Sequence, residues 1–344
     1  MSVPRPGAGP ARPPAGVSPV VRPVVGSQGL GNARWLWAAV AVAALAAPWL
    51  VYPVFLMKLL CWALLASSLN LLIGYVGLLS FGHAMFFGSA AYVTAHALKV
   101  WGVDPLLALL AGTATGALIG LVGGALAIRR QGIAFSMITL AIAQLVYFVS
   151  LRAPFTGGED GIQNVPRGRL LGLLPLGDNL ALYYVVLAIV ALGFWIIWRT
   201  VRSPFGHVLA AIRDSEPRAI SLGLKVNRYK LAAYVLSAAL AGLAGALKAL
   251  LFQIATLTDV GWTTSGEALL MVIVGGVQTL AGPLVGALVV VAMQNYFASF
   301  AEVVLMLQGL VFIIVVLVFR RGVVGEWQAW RQRRAARRGT DDRR

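Results

Sequence analysis

The amino-acid sequence predicts an all-α polytopic membrane protein of about ten transmembrane or re-entrant helices, with its N- and C-termini in the cytosol. Hydrophobic residues make up 59% of the 344 positions and charged residues only 12%, which is more apolar surface than one soluble core of this size could bury. Uncharged runs such as residues 180–198 approach the ~20 residues that a helix needs to cross a bilayer. Positive charge collects between these runs, as is typical of membrane proteins.

Turn residues and charges divide the apolar sequence into ten spans. They are predicted at 36–52, 54–73, 80–98, 106–128, 133–151, 180–198, 231–252, 268–280, 284–299 and 303–319. The second and third spans are interrupted by Gly74, Gly77 and Gly82, and the eighth is shorter than an ordinary crossing. Two interpretations therefore remain open for 54–98 and for 268–299, namely full crossings or re-entrant helices.

The positive charges predict the orientation of the chain. Four arginines precede Trp35, two stand at Arg129 and Arg130, seven Lys or Arg residues lie from 199 to 230, and nine arginines follow from Arg320 onward. A chain that starts in the cytosol and crosses ten times places all four clusters inside, as the positive-inside rule requires. The net charge of +16 would also suit a nucleic-acid partner. The distribution of the charge favours membrane orientation instead, so we predict no such partner.

Three segments follow from this arrangement. Residues 1–34 are rich in Pro and Gly and are predicted to be a disordered, basic cytosolic tail rather than a cleaved signal peptide. Residues 35–320 form the transmembrane domain, which includes a cytosolic loop at 199–230, and residues 321–344 form an Arg-rich cytosolic tail. The single Cys61 has no partner for a disulfide within the chain.

Ionisable residues of the spans are predicted near the outer ends of the helices, where long side chains reach the headgroups. They are Lys58, Lys248, Glu267 and Glu302. A proton-coupled carrier would need a carboxylate near the bilayer centre. An ion-coupled secondary carrier that works alone is therefore kept as the less favoured alternative.

Glycines recur every fourth residue in the fourth span, where they form a groove that lets a neighbouring helix approach closely. They are Gly112, Gly116, Gly120 and Gly124. The seventh span repeats the pattern around Gly242 and Gly245. We predict that these glycines pack helices within one subunit, which is favoured over a subunit interface.

The cytosolic loop contains the pattern of a short helix within GHVLAAIRDSEPRAISLGLKVNRYK (206–230). Ser215 is a good N-cap, Glu216 places a negative charge in the first turn, Pro217 is tolerated there, and Gly223 ends the helix. About two turns of helix are marginal without a partner. Basic residues flank it at Arg213, Arg218, Lys225 and Arg228, which suits an acidic protein or anionic lipid.

Several stretches of the sequence resemble one transporter family. Glu216, Ala219 and Gly223 have the spacing of the E-x-x-A-x-x-x-G loop of ABC importer permeases. Four longer stretches are similar to branched-chain amino acid importer permeases of the LivM type. They are LNLLIGYVGLLSFGHAMFFGSAAYV (69–93), ITLAIAQLVYF with TGGEDGIQNVP (138–166), RSPFGHVLAAIRDSEPRAISLGL (202–224) and VGGVQTLAGPLVGA (274–287). The similarity covers about residues 60–325. Pro217 departs from it, because the family usually has Ala or Ile there.

The resemblance implies a permease subunit in the bacterial inner membrane that translocates Leu, Ile, Val or a related small solute. Relatives for other amino acids, urea or short amides keep the substrate open. The implied partners are a homologous LivH-like permease, two ABC ATPase subunits, an extracytoplasmic solute-binding protein and membrane lipid. The ATPase partners would bind ATP and Mg, and this chain would bind no cofactor. The chain is therefore predicted to be no enzyme itself, and its sequence has no nucleotide-binding G-x-x-x-x-G-K-[ST] motif. The implied ATPase-coupling residues are Ser215, Glu216, Pro217, Ala219 and Gly223.

Two glycine-interrupted stretches predict a substrate path, because transporter sites use paired broken helices. GYVGLLSFGH (74–83) and GGVQTLAGP (275–283) supply four side-chain candidates, Ser80, His83, Gln278 and Thr279. The alternative is that these glycines only permit close packing. Glu159 and Asp160 are adjacent acids in an outer loop, which favours a surface turn over a metal site, and no metal is predicted.

Overall fold

A computed structural model of the protein describes residues 44–170, 172 and 174–297, with about half of the positions from 306 to 330. The described residues from Ala46 onward belong to one structural unit. The predicted tail 1–34, Glu302, most of the predicted tenth span and the chain after position 330 lie outside the described residues.

Helices make up almost all of the regular structure that is described. They are α1 (described over residues 44–50), α2 (Pro53–Asn70), α3 (His83–Lys99), α4 (Pro105–Ala127), α5 (Ile133–Arg152), α6 (Asn179–Val201), α7 (Pro204–Asp214), α8 (Glu216–Ser221), α9 (Val226–Phe252), α10 (Trp262–Gly275) and α11 (Gly282–Tyr296). A π-helical stretch, Leu71–Val76, extends α2. Two short antiparallel strands, β1 (Arg169–Leu170) and β2 (Leu174–Pro175), interrupt the loop before α6.

Five of the described helices are long and apolar enough to cross a bilayer: α2 with its extension, α4, α5, α6 and α9. The prediction of an all-α membrane protein is thereby confirmed, whereas ten crossings and cytosolic termini stay predictions. The predicted eighth span is corrected, because α10 begins at Trp262 and ends at Gly275. Its 14 residues and the 15 of α11 span about 21–23 Å, less than the ~30 Å hydrocarbon core.

Several helices begin with a capping residue. The Asp104 carboxylate accepts a hydrogen bond from the Leu106 N–H of α4 at 2.8 Å, and Asp178 does the same for Leu180 of α6 at 3.3 Å. Pro105 follows Asp104 in the first turn of α4, where its missing N–H leaves no bond unmade. Local sequence chemistry therefore sets these starts.

The centre of the bundle is α9, which packs against α4, α3 and α2. At Gly116 of α4 an added Cβ would lie 2.8 Å from the Ala238 carbonyl oxygen and 3.0 Å from the Cα of Gly242, both on α9. Gly245 of α9 lies directly against the Phe87 backbone of α3. The other glycines of the α4 row meet side chains of α3 or α9, and these are Gly112, Gly120 and Gly124. The small residues thus bring helices of this chain together.

We expect Gly116→Val to destabilise the bundle, because the new side chain has no space unless α4 and α9 move apart. Overpacking of this kind costs about 1–3 kcal/mol. Gly266→Val is the matched control, since nothing lies within 4 Å of a Cβ at Gly266. Thermal unfolding in detergent would measure the difference, and equal melting temperatures for the two variants would contradict the packing described.

Connecting segments gather at two ends of the bundle. At one end, close contacts join several of these segments. The Gly74 carbonyl accepts a hydrogen bond from Arg213 of α7, and an added Cβ at Gly74 would lie 2.9 Å from the Gln278 nitrogen. Gly276 lies against Gly322 at the same end. We call this the basic end; it holds segments 77–82, 202–225 and 276–281. At the opposite end the loop 153–178 covers the C-terminus of α9, where Ile162 pairs with Ala255. The helices thus run between two distinct faces.

Candidate functional site

Two short helices, α7 and α8, form the loop at the basic end where the sequence predicted one. Ser203 caps α7 by accepting a hydrogen bond from the Gly206 N–H at 3.4 Å, and Leu209 and Ile212 bury its apolar face. The bounds of α8 agree with the prediction, since it starts directly after Ser215. Gly223 follows its end with a left-handed φ of 79°, as expected for a C-terminal glycine.

Ser215 stands at the N-cap of α8 as predicted, but its hydroxyl does not cap the helix. Its side chain makes no capping hydrogen bond, and only its backbone carbonyl takes part, by accepting from the Ala219 N–H at 3.1 Å. Pro217 occupies the first turn without loss of a hydrogen bond. A helix of six residues without a side-chain cap is unstable by itself, so tertiary contacts must hold it.

An ion pair attaches α8 to the transmembrane bundle. The Lys230 ammonium in the first turns of α9 donates to Glu216 Oε2 at 2.5 Å, and the two side chains are 3% and 16% exposed. Ala219 of α8 is buried in a small apolar cluster with Ile212 and Val226. Glu216 therefore does more than complement the helix dipole, because it joins α8 to α9.

The outer face of α8 is apolar and accessible. Ile220 and Leu222 are 57% and 73% exposed, and Arg218 and Pro217 are exposed beside them. Adjacent exposed apolar side chains at the tip of a charged loop are typical of a protein contact surface. One side of α8 is thus anchored to the bundle, and the other side is accessible.

Arg213 connects α7 to the π-helical end of α2. Its Nη1 donates to the Gly74 carbonyl at 2.6 Å, while Nη2 lies 2.9 Å from the Asp214 carboxylate. Gly77 has a left-handed φ of 79°, and a Cβ there would lie 2.9 Å from Arg213 Cγ. π-Helical turns occur frequently at functional sites, and this one lies between α7 and the turn 276–281.

Asn70 fixes the turn 276–281 to the end of α2. Its Nδ2 donates to the Thr279 carbonyl at 2.9 Å, and its Oδ1 accepts from the Gln278 N–H at 3.2 Å. The Tyr75 hydroxyl donates to the Gln278 carbonyl at 3.1 Å. The backbone of this turn is thus held, while the Gln278 side chain is exposed. The sequence prediction missed Asn70, although the polar run SSLN (67–70) in an apolar helix marks it.

His83 belongs to a second polar group, and Ser80 lies three residues before it in the chain. His83 Nε2 lies 2.9 Å from Ser237 Oγ, and Ser237 donates to the Ser68 carbonyl at 2.5 Å. Ser80 Oγ accepts from the Gly82 N–H at 3.2 Å. His83 has no exposed surface. Within the described part of the chain no hydrogen bond joins this group to Gln278 or Thr279; each group contacts the last turn of α2 instead.

Three of the charges predicted near the outer helix ends, Lys58, Lys248 and Glu267, lie near one another at the opposite end of the bundle. Lys248 was predicted to extend to the headgroups, but its ammonium lies 2.6 Å from Asp259 and its side chain is 14% exposed. Glu267 accepts a hydrogen bond from Gln294 at 3.1 Å. Among the residues that the structure describes, no group of three or more His, Cys, Asp or Glu could hold a metal ion.

Comparison with known proteins places this geometry in context. The family described as "Branched-chain amino acid transport system / permease component" matches residues 52–316. The high-affinity branched-chain amino acid transport system permease protein LivM of Escherichia coli (strain K12) is 29% identical over 284 residues, 74% of this chain and 66% of the relative. The chain thus spans just under two thirds of that protein's length.

More distant relatives carry other names. The ribose import permease protein RbsC of Bacillus subtilis is 27% identical over 64% of this chain and 70% of its own length. The autoinducer 2 import system permease protein LsrC of Klebsiella pneumoniae is 29% identical over 56% of this chain and 54% of its own length. No solved structure matches the chain.

Proposed function

Because the chain belongs to the family of branched-chain amino acid transport permease components, we propose that it is the membrane subunit of a bacterial ABC importer for Leu, Ile, Val or a related small solute. The observation that carries the proposal is α8, a short helix with an exposed apolar face that is tied to α9 through Glu216 and Lys230. A separate ATPase would bind this face. The chain then supplies the path, and the partner supplies the energy.

Two contacts would transmit a movement of the loop into the membrane domain. The Glu216–Lys230 pair leads from α8 to α9, and the Arg213–Gly74 hydrogen bond leads from α7 to the end of α2. Both act on helices that line the polar groups around Ser68 and Asn70. Closure of two ATPases against two permease subunits would tilt these helices and alternate access to the path. An extracytoplasmic binding protein would deliver the solute at the opposite end.

Within the proposed path the four candidate side chains take different roles. Gln278 is exposed at the basic end, and Thr279 lies beside it on the same held turn. His83 and Ser80 are buried, so they would meet a solute only after α3 and α9 separate. We therefore propose that the solute contacts Gln278 at the basic end.

We expect Gln278→Gly to raise the apparent KM for uptake about fivefold, the effect of one lost hydrogen bond of ~1 kcal/mol. Glycine is chosen because Gln278 has a φ of 69°, which glycine adopts without strain. Gln278→Asn is the matched control, since Asn keeps the amide and tolerates this φ. Concentration-dependent uptake of labelled leucine would test it, and an unchanged KM in both variants would remove Gln278 from the path.

Reconstitution tests the function as a whole. Proteoliposomes that hold this chain with two ATPase subunits, a second permease and a binding protein of the same importer should take up leucine only when ATP is present. Uptake by the chain alone under an ion gradient would support the secondary carrier instead. Two relatives are named for ribose and autoinducer 2. If unlabelled ribose but not isoleucine reduced the uptake of labelled substrate, the proposed substrate would be a sugar instead of an amino acid.

A further inference from the structure

A groove follows the surface of α9 from the basic end into the apolar part of the bundle. Its inner part, of about 540 Å³, lies between α4 and α9 and is lined by apolar side chains such as Leu121, Val235 and Ala239. Its outer part, of about 480 Å³, is lined by Phe205 and Tyr229 among others. Arg228 and Ala232 border both parts. The two hollows therefore form one continuous surface feature.

Two cations stand at the outer opening of this groove. Lys225 and Arg228 are both exposed, and neither makes an ion pair or side-chain hydrogen bond with any residue that the structure describes. The acids of the neighbouring elements are occupied, since Asp214 pairs with Arg213 and Glu216 with Lys230. Both cations also lie at the N-terminus of α9, where the helix dipole adds positive potential. The opening lacks a negative partner.

We propose that the groove binds one anionic phospholipid, with its phosphate at Lys225 and Arg228 and an acyl chain along α9 between Leu121 and Val235. An acyl chain gains little by leaving other lipid tails for an apolar groove, so selectivity must come from the headgroup. Basic pockets between helices at a cytoplasmic surface suit anionic headgroups. A zwitterionic lipid is less suitable, because its headgroup carries a cation as well as the phosphate. A helix of another subunit would need an acidic residue at this position to pair with the two cations.

The experiment compares lipid retention by the full chain. Protein purified from bilayers that contain equal amounts of phosphatidylglycerol and phosphatidylcholine should retain phosphatidylglycerol selectively in native mass spectrometry. Replacing both Lys225 and Arg228 by Gln should lower that selectivity at least fivefold, the ratio expected for one cation near a membrane surface. Arg129→Gln with Arg130→Gln is the matched control, because these two exposed cations at the same end lie outside the groove lining.

A second variant tests the apolar part with the charges left in place. Ala232→Trp fills the point where the two hollows meet, so an acyl chain can no longer enter the groove while its headgroup is at the two cations. Selective retention should therefore fall, while monodispersity in detergent shows that the chain still folds. Equal retention of both lipids by the unmodified chain would overturn the proposal. Displacement of the lipid by soluble glycerol phosphate would assign the site to a free anion, and cross-linking from Ala232→Cys to a second subunit rather than to lipid would assign the groove to a protein. Either result would also overturn it.

Discussion

Replacing Glu216 by Gln is expected to release α8 from the transmembrane bundle. The change leaves the Lys230 ammonium buried at 3% exposure with no counter-charge. Removal of one partner from a fully buried ion pair costs about 3–5 kcal/mol; partial exposure of Glu216 reduces our expectation to about 2–3 kcal/mol. Because α8 has only six residues, we expect local release rather than global unfolding. Hydrogen exchange at residues 216–221 should accelerate by roughly 30- to 160-fold.

Asp214→Asn is the matched control for this release. Asp214 pairs with Arg213 but its side chain is 59% exposed, and exposed pairs contribute about 0–1 kcal/mol. The double variant Glu216→Gln with Lys230→Met should recover most of the protection, because it removes the unpaired charge. In the reconstituted importer, ATP hydrolysis should continue in Glu216→Gln while uptake falls. Equal exchange at α8 in Glu216→Gln and Asp214→Asn would contradict the anchoring role.

Replacing Asn70 by Leu is expected to detach the turn 276–281 from α2. Leucine has a similar size, but it can neither donate to the Thr279 carbonyl nor accept from the Gln278 N–H. Backbone groups left without partners in a partly buried site cost about 1–3 kcal/mol each, so we expect a loss of about 2–6 kcal/mol in unfolding free energy. Thermal unfolding of the purified chain measures it.

Ser67→Ala is the contrasting variant one turn earlier on α2. The Ser67 hydroxyl is buried and has no hydrogen-bond partner among the described residues, so its removal should be neutral or stabilising. If Ser67→Ala destabilised the chain as much as Asn70→Leu, the loss could not be attributed to the two hydrogen bonds between Asn70 and the turn. A loss of uptake in Asn70→Leu with normal leucine binding by the binding protein would place the defect in the membrane domain.

Some features of the loop could be predicted because their causes are local. Pro217 marks the start of α8 and Gly223 its end, both in the sequence prediction and in the structure. These signals are local, because the φ angle that each residue favours is a property of that residue alone. The helix α7 was missed because its two buried side chains, Leu209 and Ile212, give only a brief apolar period among charges. The capping bond assigned to Ser215 was wrong, because a suitable residue type does not guarantee the side-chain orientation that the bond requires.

The sequence by itself determined that this protein is a helical membrane protein, where most of its helices lie, and to which family it is similar, because hydropathy, turn residues and motif spacing are properties of short segments. Only the tertiary structure decided which polar groups meet. Glu216 and Lys230 are 14 residues apart, and Asn70 and Gln278 are 208 apart. Such pairs form only when packed helices acquire a particular rotation and height, and these depend on every small residue between them, such as Gly116 against Gly242.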